Sequence, residues 1–134
     1  MNAIRHLPLV GLVALIYAAV AVLGAGAPIQ PVTSIALPSG ASWSLSLGEL
    51  LLVIAVICLY FEVLKATRTS HASVLDHILS LFSFVGCLFG FLFVPVLGTS
   101  TFLVIMIMAL FDVIAGFTVT ISTARRDFSV PERE

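Results

Sequence analysis

The chain has 134 residues, of which 60% are hydrophobic and 10% charged, and its mean hydropathy is +1.21. A water-soluble domain of this size needs more charge to cover its surface, and four apolar segments of about 20 residues leave no room for a separate soluble domain. The net charge of −1 points to no nucleic acid. Cys58 and Cys87 both lie inside apolar runs, where they read as buried thiols rather than as a disulfide framework or a metal site.

The first apolar run covers residues 7–23 and is closed by Gly24-Ala25-Gly26-Ala27-Pro28, which gives a span over about 7–25. Arg5 before it and Ala25-Gly26-Ala27 after it resemble a secretory signal with a small-x-small cleavage site. The run is longer than the roughly 7–15 residues of a signal core, so we expect it to be retained as a helix. Gly11, Ala14, Ala18, Ala21 and Ala25 recur at steps of three and four, a stripe along which helices approach closely in lipid.

Residues 28–45 are uncharged and contain Pro28, Pro31 and Pro38. From Ala41 to Leu47 every second residue is Ser, a strand pattern. Pro38-Ser39-Gly40 would turn this segment back on residues 32–37 as a small extracytoplasmic β-hairpin. The alternative is a coil with Trp43 anchored at the membrane interface.

The second span, residues 47–66, opens with Ser46-Leu47-Gly48-Glu49, a capping box in which Ser and Glu satisfy free amides at a helix start. Gly48, Ala55 and Glu62 share one of its faces. The third span, residues 74–97, opens with Ser73 and Asp76 in the same arrangement. It carries Ser80, Ser83, Gly86 and Gly90 on one side, the glycines forming a GxxxG, with Phe82, Phe84, Phe89, Phe91 and Phe93 filling the rest as lipid-facing bulk. Gly98 ends it, Thr99 or Ser100 caps the fourth span over residues 101–123, and a polar tail follows at 124–134. A turn centred there places Gly86 level with Asp112, and Ser83 level with Ala115 and Gly116. Ala109, Asp112 and Gly116 then share the face that meets the third span.

The six basic residues, Arg5, Lys65, Arg68, Arg125, Arg126 and Arg133, fall before the first span, between the second and third, and in the tail. With four spans all three segments lie on one side, which the positive-inside rule makes cytoplasmic. The expected fold is therefore an all-α membrane protein, one domain of four transmembrane helices in an antiparallel bundle. Both termini are cytoplasmic, and the simplest host is a bacterial inner membrane. Lys65, Arg68, Arg125 and Arg126 form a juxtamembrane cluster suited to lipid headgroups.

Few residues can carry chemistry. Asp112 is the twelfth residue of its span, about 16 Å deep at 1.5 Å per residue, near the bilayer midplane. An intramembrane acid is a candidate site for proton or cation movement. The bland reading is a neutral Asp hydrogen-bonded to Ser83 or a backbone carbonyl at a helix contact. With no basic residue expected at its depth, we favour that reading. Glu62, one turn from the end of the second span, is expected in an ion pair with Lys65, Arg125 or Arg126. His6, His71 and His77 lie near the cytoplasmic face without converging spacing, so no metal or other cofactor is expected, although His77 could meet lipid headgroups or a quinone-like ligand. No nucleophile motif, phosphate loop or CxxC is present, and we expect no enzyme.

In length and helix number the chain is similar to small multidrug resistance transporters. That family relies on an acid in its first helix, and residues 7–23 contain none. It also lacks the paired cysteines of four-helix disulfide oxidoreductases. The expected function is that of a small non-enzymatic membrane protein acting through helix–helix contacts, as an accessory subunit or by self-association. The alternative is a small proton- or cation-coupled transporter or channel using Asp112.

Overall fold

A computed structural model of the chain describes residues 7–24, 26–66 and 73–127, with side chains described over 75–122 in the last stretch. Arg5, His6, Ala25, Arg68, His71, Arg133 and the side chains of Ser73, Arg125 and Arg126 lie outside the described residues. The order is α1 (Leu9–Leu23), a 3-10 turn (Ala27–Ile29), β1 (Pro31–Ala36), β2 (Ser42–Ser46), α2 (Leu47–Ala66), α3 (Ser73–Phe93), a second 3-10 turn (Pro95–Leu97) and α4 (Ser100–Asp127). Three helical stretches, Leu47–Ala66, Leu75–Phe93 and Ser100–Ser122, are long and apolar enough to cross a membrane. The first helix is apolar but has 15 residues, about 22 Å at 1.5 Å per residue.

The punctuation follows local chemistry. At the start of α2 the Ser46 amide donates to Glu49 Oε2 at 2.7 Å and the Glu49 amide donates to Ser46 Oγ at 3.2 Å, which is the expected reciprocal box. The strands pair antiparallel, with Ile35 opposite Trp43, Ser34 opposite Ser44 and Thr33 opposite Leu45. Gly40, at φ +84°, closes the turn, so the segment is a hairpin and not a coil.

The third helix ends four residues earlier than its apolar run. Pro95 has no amide to continue the ladder, and its ring disfavours helical geometry at the residue before it. Val94 is accordingly extended, and a 3-10 turn follows. Thr99 then caps α4, its Oγ1 accepting from the Phe102 amide at 3.1 Å. Moving the stop from Gly98 to Phe93 shifts the pairing of the hairpin by six residues. Asp112 meets Ser80, not Gly86, and Gly116 meets His77, not Ser83.

The helices bundle around α4, which touches all three others. Its inward face is Phe102, Ile105, Met108, Ala109, Asp112, Val113 and Gly116, at the three-and-four spacing of a helix stripe. From α1 come Val10, Val13, Ala14, Tyr17 and Ala21, and from α2 Gly48, Leu51, Ala55 and Glu62. The small-residue stripe of α1 is thus largely an inward face: Ala14 and Ala21 are buried, Ala18 packs on the core, and a methyl group at Gly11 would collide with Ser83 of α3.

The GxxxG of α3 does not act as expected within the chain. A Cβ at Gly86 would meet nothing within 4 Å, and the residue is exposed beside Phe82 and Phe89. Gly90 does face inward, where a Cβ would lie 3.1 Å from Leu97 Cδ1. The six-residue shift rotates Gly86 off the contact with α4.

These contacts separate the glycines experimentally. Gly11→Ala is expected to lower stability, because the Ser83 side chain must move. Gly86→Ala is expected to be neutral or to stabilise by up to about 1 kcal/mol, the gain in helix propensity. Unfolding of both variants in the same detergent or bilayer checks this, and equal losses would show that Gly86 is packed after all.

Candidate functional site

The end of the bundle opposite the hairpin carries the chain's buried polar chemistry. Among the described residues, Glu62, His77, Ser80 and Asp112 are the buried polar or charged side chains, at 5 to 8% exposure. They come from α2, α3 and α4, and α1 joins them through its backbone.

Glu62 is on the inward face of α2, in line with Gly48 and Ala55. Among the described residues its carboxylate meets backbone amides, not Lys65, and the other expected partners, Arg125 and Arg126, lie outside the described side chains. Glu62 Oε1 accepts from the Leu9 amide and Oε2 from the Val10 amide, the latter at 3.2 Å; these are the first two amides of α1. The reason lies in the start of α1. A helix leaves its first amides without internal partners, and α1 has Pro8 at its N-cap with no side-chain hydrogen bond of its own. Glu62 supplies the cap from another helix, its two oxygens accepting at the positive end of the helix dipole. The expected ion pair is corrected for Lys65 as well, whose Nζ lies 3.1 Å from Asp76 Oδ2 across α2 and α3.

Asp112 accepts a hydrogen bond from the Ser80 hydroxyl, and His77, Lys65 and Asp76 lie close enough to act on its charge. The expected partner Ser83 instead packs against Gly11. Asp112 is therefore not an isolated acid. It sits level with Ser80, the eighth residue of α3, and shares an electrostatic neighbourhood with Glu62.

His77 was expected near headgroups and is buried instead. Its ring lies on Gly116, filling the space a side chain there would need, and 6.0 Å from the ring of Phe117. Only glycine lets α4 come this close. The last turns of α4 carry further polar groups without exposing them to apolar surroundings. Thr118, Thr120 and Ser122 donate to the carbonyls of Ile114, Gly116 and Thr118 at 2.7 to 3.0 Å.

The arrangement can hold four helices in register and gathers two acids and a histidine in one neighbourhood. No set of three or more His, Cys, Asp or Glu suited to a metal ion occurs among the described residues. No buried side-chain nitrogen or oxygen among them lacks a hydrogen-bond partner. At the other end Tyr17, to which the sequence pattern assigns no role, joins the capping Thr99: Tyr17 Oη and Thr99 Oγ1 are 2.7 Å apart, with the Tyr17 ring on Phe102. No protein-family model matches the chain, and neither a curated protein nor a solved structure matches it.

Two substitutions probe the cluster. Glu62→Ala leaves two buried amides without acceptors, a loss of about 2 kcal/mol or more. Glu62→Gln keeps an acceptor and loses only the charge assistance, so about half that loss is expected. Unfolding midpoints in one detergent compare them. Equal loss in both would mean that the charge, not the cap, is what α1 requires.

Proposed function

We propose that this chain is a small integral membrane protein of four helices, with both termini cytoplasmic, that acts without catalysis through helix–helix contacts, as an accessory subunit or by self-association. One observation carries the reading: polarity is arranged inside-out. The ionisable groups Glu62, His77 and Asp112 are buried, while Leu15, Phe61, Phe82, Phe89, Leu92, Phe93 and Phe111 stand more than half exposed on the helix exteriors. In water such a surface would be an apolar patch far larger than soluble monomers carry. In lipid it is the ordinary exterior of a bundle, and backbone polarity is satisfied within each helix.

The subunit reading rests on what is left over. The polar cluster is internally partnered, so it is suited to fixing the bundle rather than to receiving a ligand. Gly86 is a gap on the outer face of α3 between Phe82 and Phe89, open to a side chain from a neighbouring helix. The placement of Lys65 and of the basic residues at 68, 125, 126 and 133 supports the cytoplasmic side for that end.

A second reading has its own support. Glu62, Asp112 and His77 in one neighbourhood are more than a structural Asp would need, and intramembrane acids in company mark proton or cation paths.

Three measurements decide. Reporters fused after residue 134 and within 66–72 are expected to read cytoplasmic, and one within 33–40 external; a cytoplasmic signal from 33–40 would overturn the topology. In mild detergent the chain is expected to run with itself or another membrane protein, and Gly86→Leu to reduce that association while leaving the fold intact. A strictly monomeric chain without partners would sink the subunit reading. In proteoliposomes Asp112→Asn is expected to leave ion flux unchanged, and a pH-dependent flux that vanishes in this variant would establish the transporter reading instead.

A further inference from the structure

The hairpin is turned the wrong way round for a protein surrounded by water. Strand alternation and the observed register put Ile35, Trp43, Thr33 and Leu45 on one face and Ser34, Ser44, Ala36 and Ser42 on the other. Ser44 and Ser46 look inward, onto an open cleft of about 370 Å³ that they share with Tyr17, Glu49 and residues 99–101 at the outer ends of the helices. Most of the hairpin is exposed on both faces, and the apolar face leaves Ile35 51% and Trp43 46% exposed. An amphipathic sheet directs its apolar face to the less polar medium. A medium less polar than water would suit the face of Ile35 and Trp43.

Three further observations say what that medium is. Residues 28–48 carry no charge, as a segment lying among lipid rather than in water would. The second strand runs into α2 with no linker, Ser46 being followed by Leu47, so the hairpin is held at the lipid boundary of an apolar helix. The first helix also carries exposed apolar residues past the ends of its neighbours. Tyr17 meets Thr99 and lies beside Gly48, yet α1 continues to Val22 and Leu23, and the following turn adds Ile29. Six residues beyond Tyr17 correspond to about 9 Å of helix, within reach of Leu45 and Trp43 along a strand.

We propose that the outward face of the hairpin is a lipid-binding surface, with Ile35 and Trp43 seated in the outer interfacial layer of the bilayer. This rests on the membrane reading given above and adds to it. The hairpin is then a second attachment to the membrane that holds the cleft with its serine wall over the helix ends. Indole at the headgroup level is favourable because its ring is apolar and its N–H can still find water or a phosphate oxygen.

Trp43 is the chain's single tryptophan, so its emission reports this face alone. The full chain is reconstituted in phosphatidylcholine vesicles, and floated vesicles are measured with brominated phosphatidylcholine or with aqueous acrylamide as quencher. Brominated lipid is expected to remove roughly half of the emission and acrylamide little of it, as for an indole at the interface. Quenching by acrylamide with no effect of brominated lipid would place the face in water and overturn the proposal. Quenching by neither would overturn it too, in favour of a second protein chain covering the face. As a further check, Ile35→Asp is expected to raise acrylamide quenching at least about twofold, by withdrawing the face from the interface, with helical content unchanged; no rise would count against the proposal. Failure of the chain to float with the vesicles would instead contradict the membrane reading itself.

Discussion

The bundle depends on one carboxylate holding the start of another helix. The first helix begins after a proline and brings no capping side chain, so its leading amides need an acceptor from elsewhere. Glu62 is that acceptor. The bond is formed where water is scarce, which strengthens it and makes its loss costly. It fixes the depth of α1 against α2, and with that depth fixed, Gly11 meets Ser83, the alanines meet the core and Tyr17 reaches Thr99 at the far end. Those contacts are too small individually to choose a register. The two hydrogen bonds that Glu62 accepts from the start of α1 fix it for them.

The remaining polar residues extend this anchor rather than forming a separate centre. Lys65 holds Asp76, Ser80 holds Asp112, and the His77 ring closes the gap over Gly116. Each helix of the bundle therefore contributes to a polar layer at one end. The rest of the contact surface is packing among alanines, glycines and aliphatic side chains, which is how helices associate where no hydrophobic force draws them together.

Much of this could be read from the residues. The capping box at Ser46 and Glu49, the hairpin from its alternating serines, the four apolar helices and the inward stripes of α1 and α4 all follow from local chemistry or periodicity, which a single chain displays openly. What failed was register. Gly98 is the obvious stop of the third helix in sequence, yet Pro95 acts first, and a shift of the turn's centre displaces every pairing along the hairpin by twice as much. Gly86 thus lost its partner, and Ser80 replaced Ser83 beside Asp112. The role of Glu62 was hidden for another reason. A nearby Lys65 is an obvious partner in sequence, whereas a helix start more than fifty positions away is not. The signal was present at Pro8, a helix beginning with no residue able to cap it.

The shortness of the first helix has a consequence of its own. Its 15 residues offer about 22 Å of apolar length against a hydrocarbon layer of about 30 Å. Glu62 ties its start about one turn inside the end of α2, so this helix cannot slide to share the deficit between the two leaflets. If the bundle spans a bilayer as proposed, lipid beside Pro8 would have to thin or headgroups dip toward the protein, at a fraction of a kcal/mol for each ångström of mismatch. A bilayer dimple on one side of the bundle would favour thinner membranes over thicker ones, and would draw neighbouring proteins with the same shortfall toward that side.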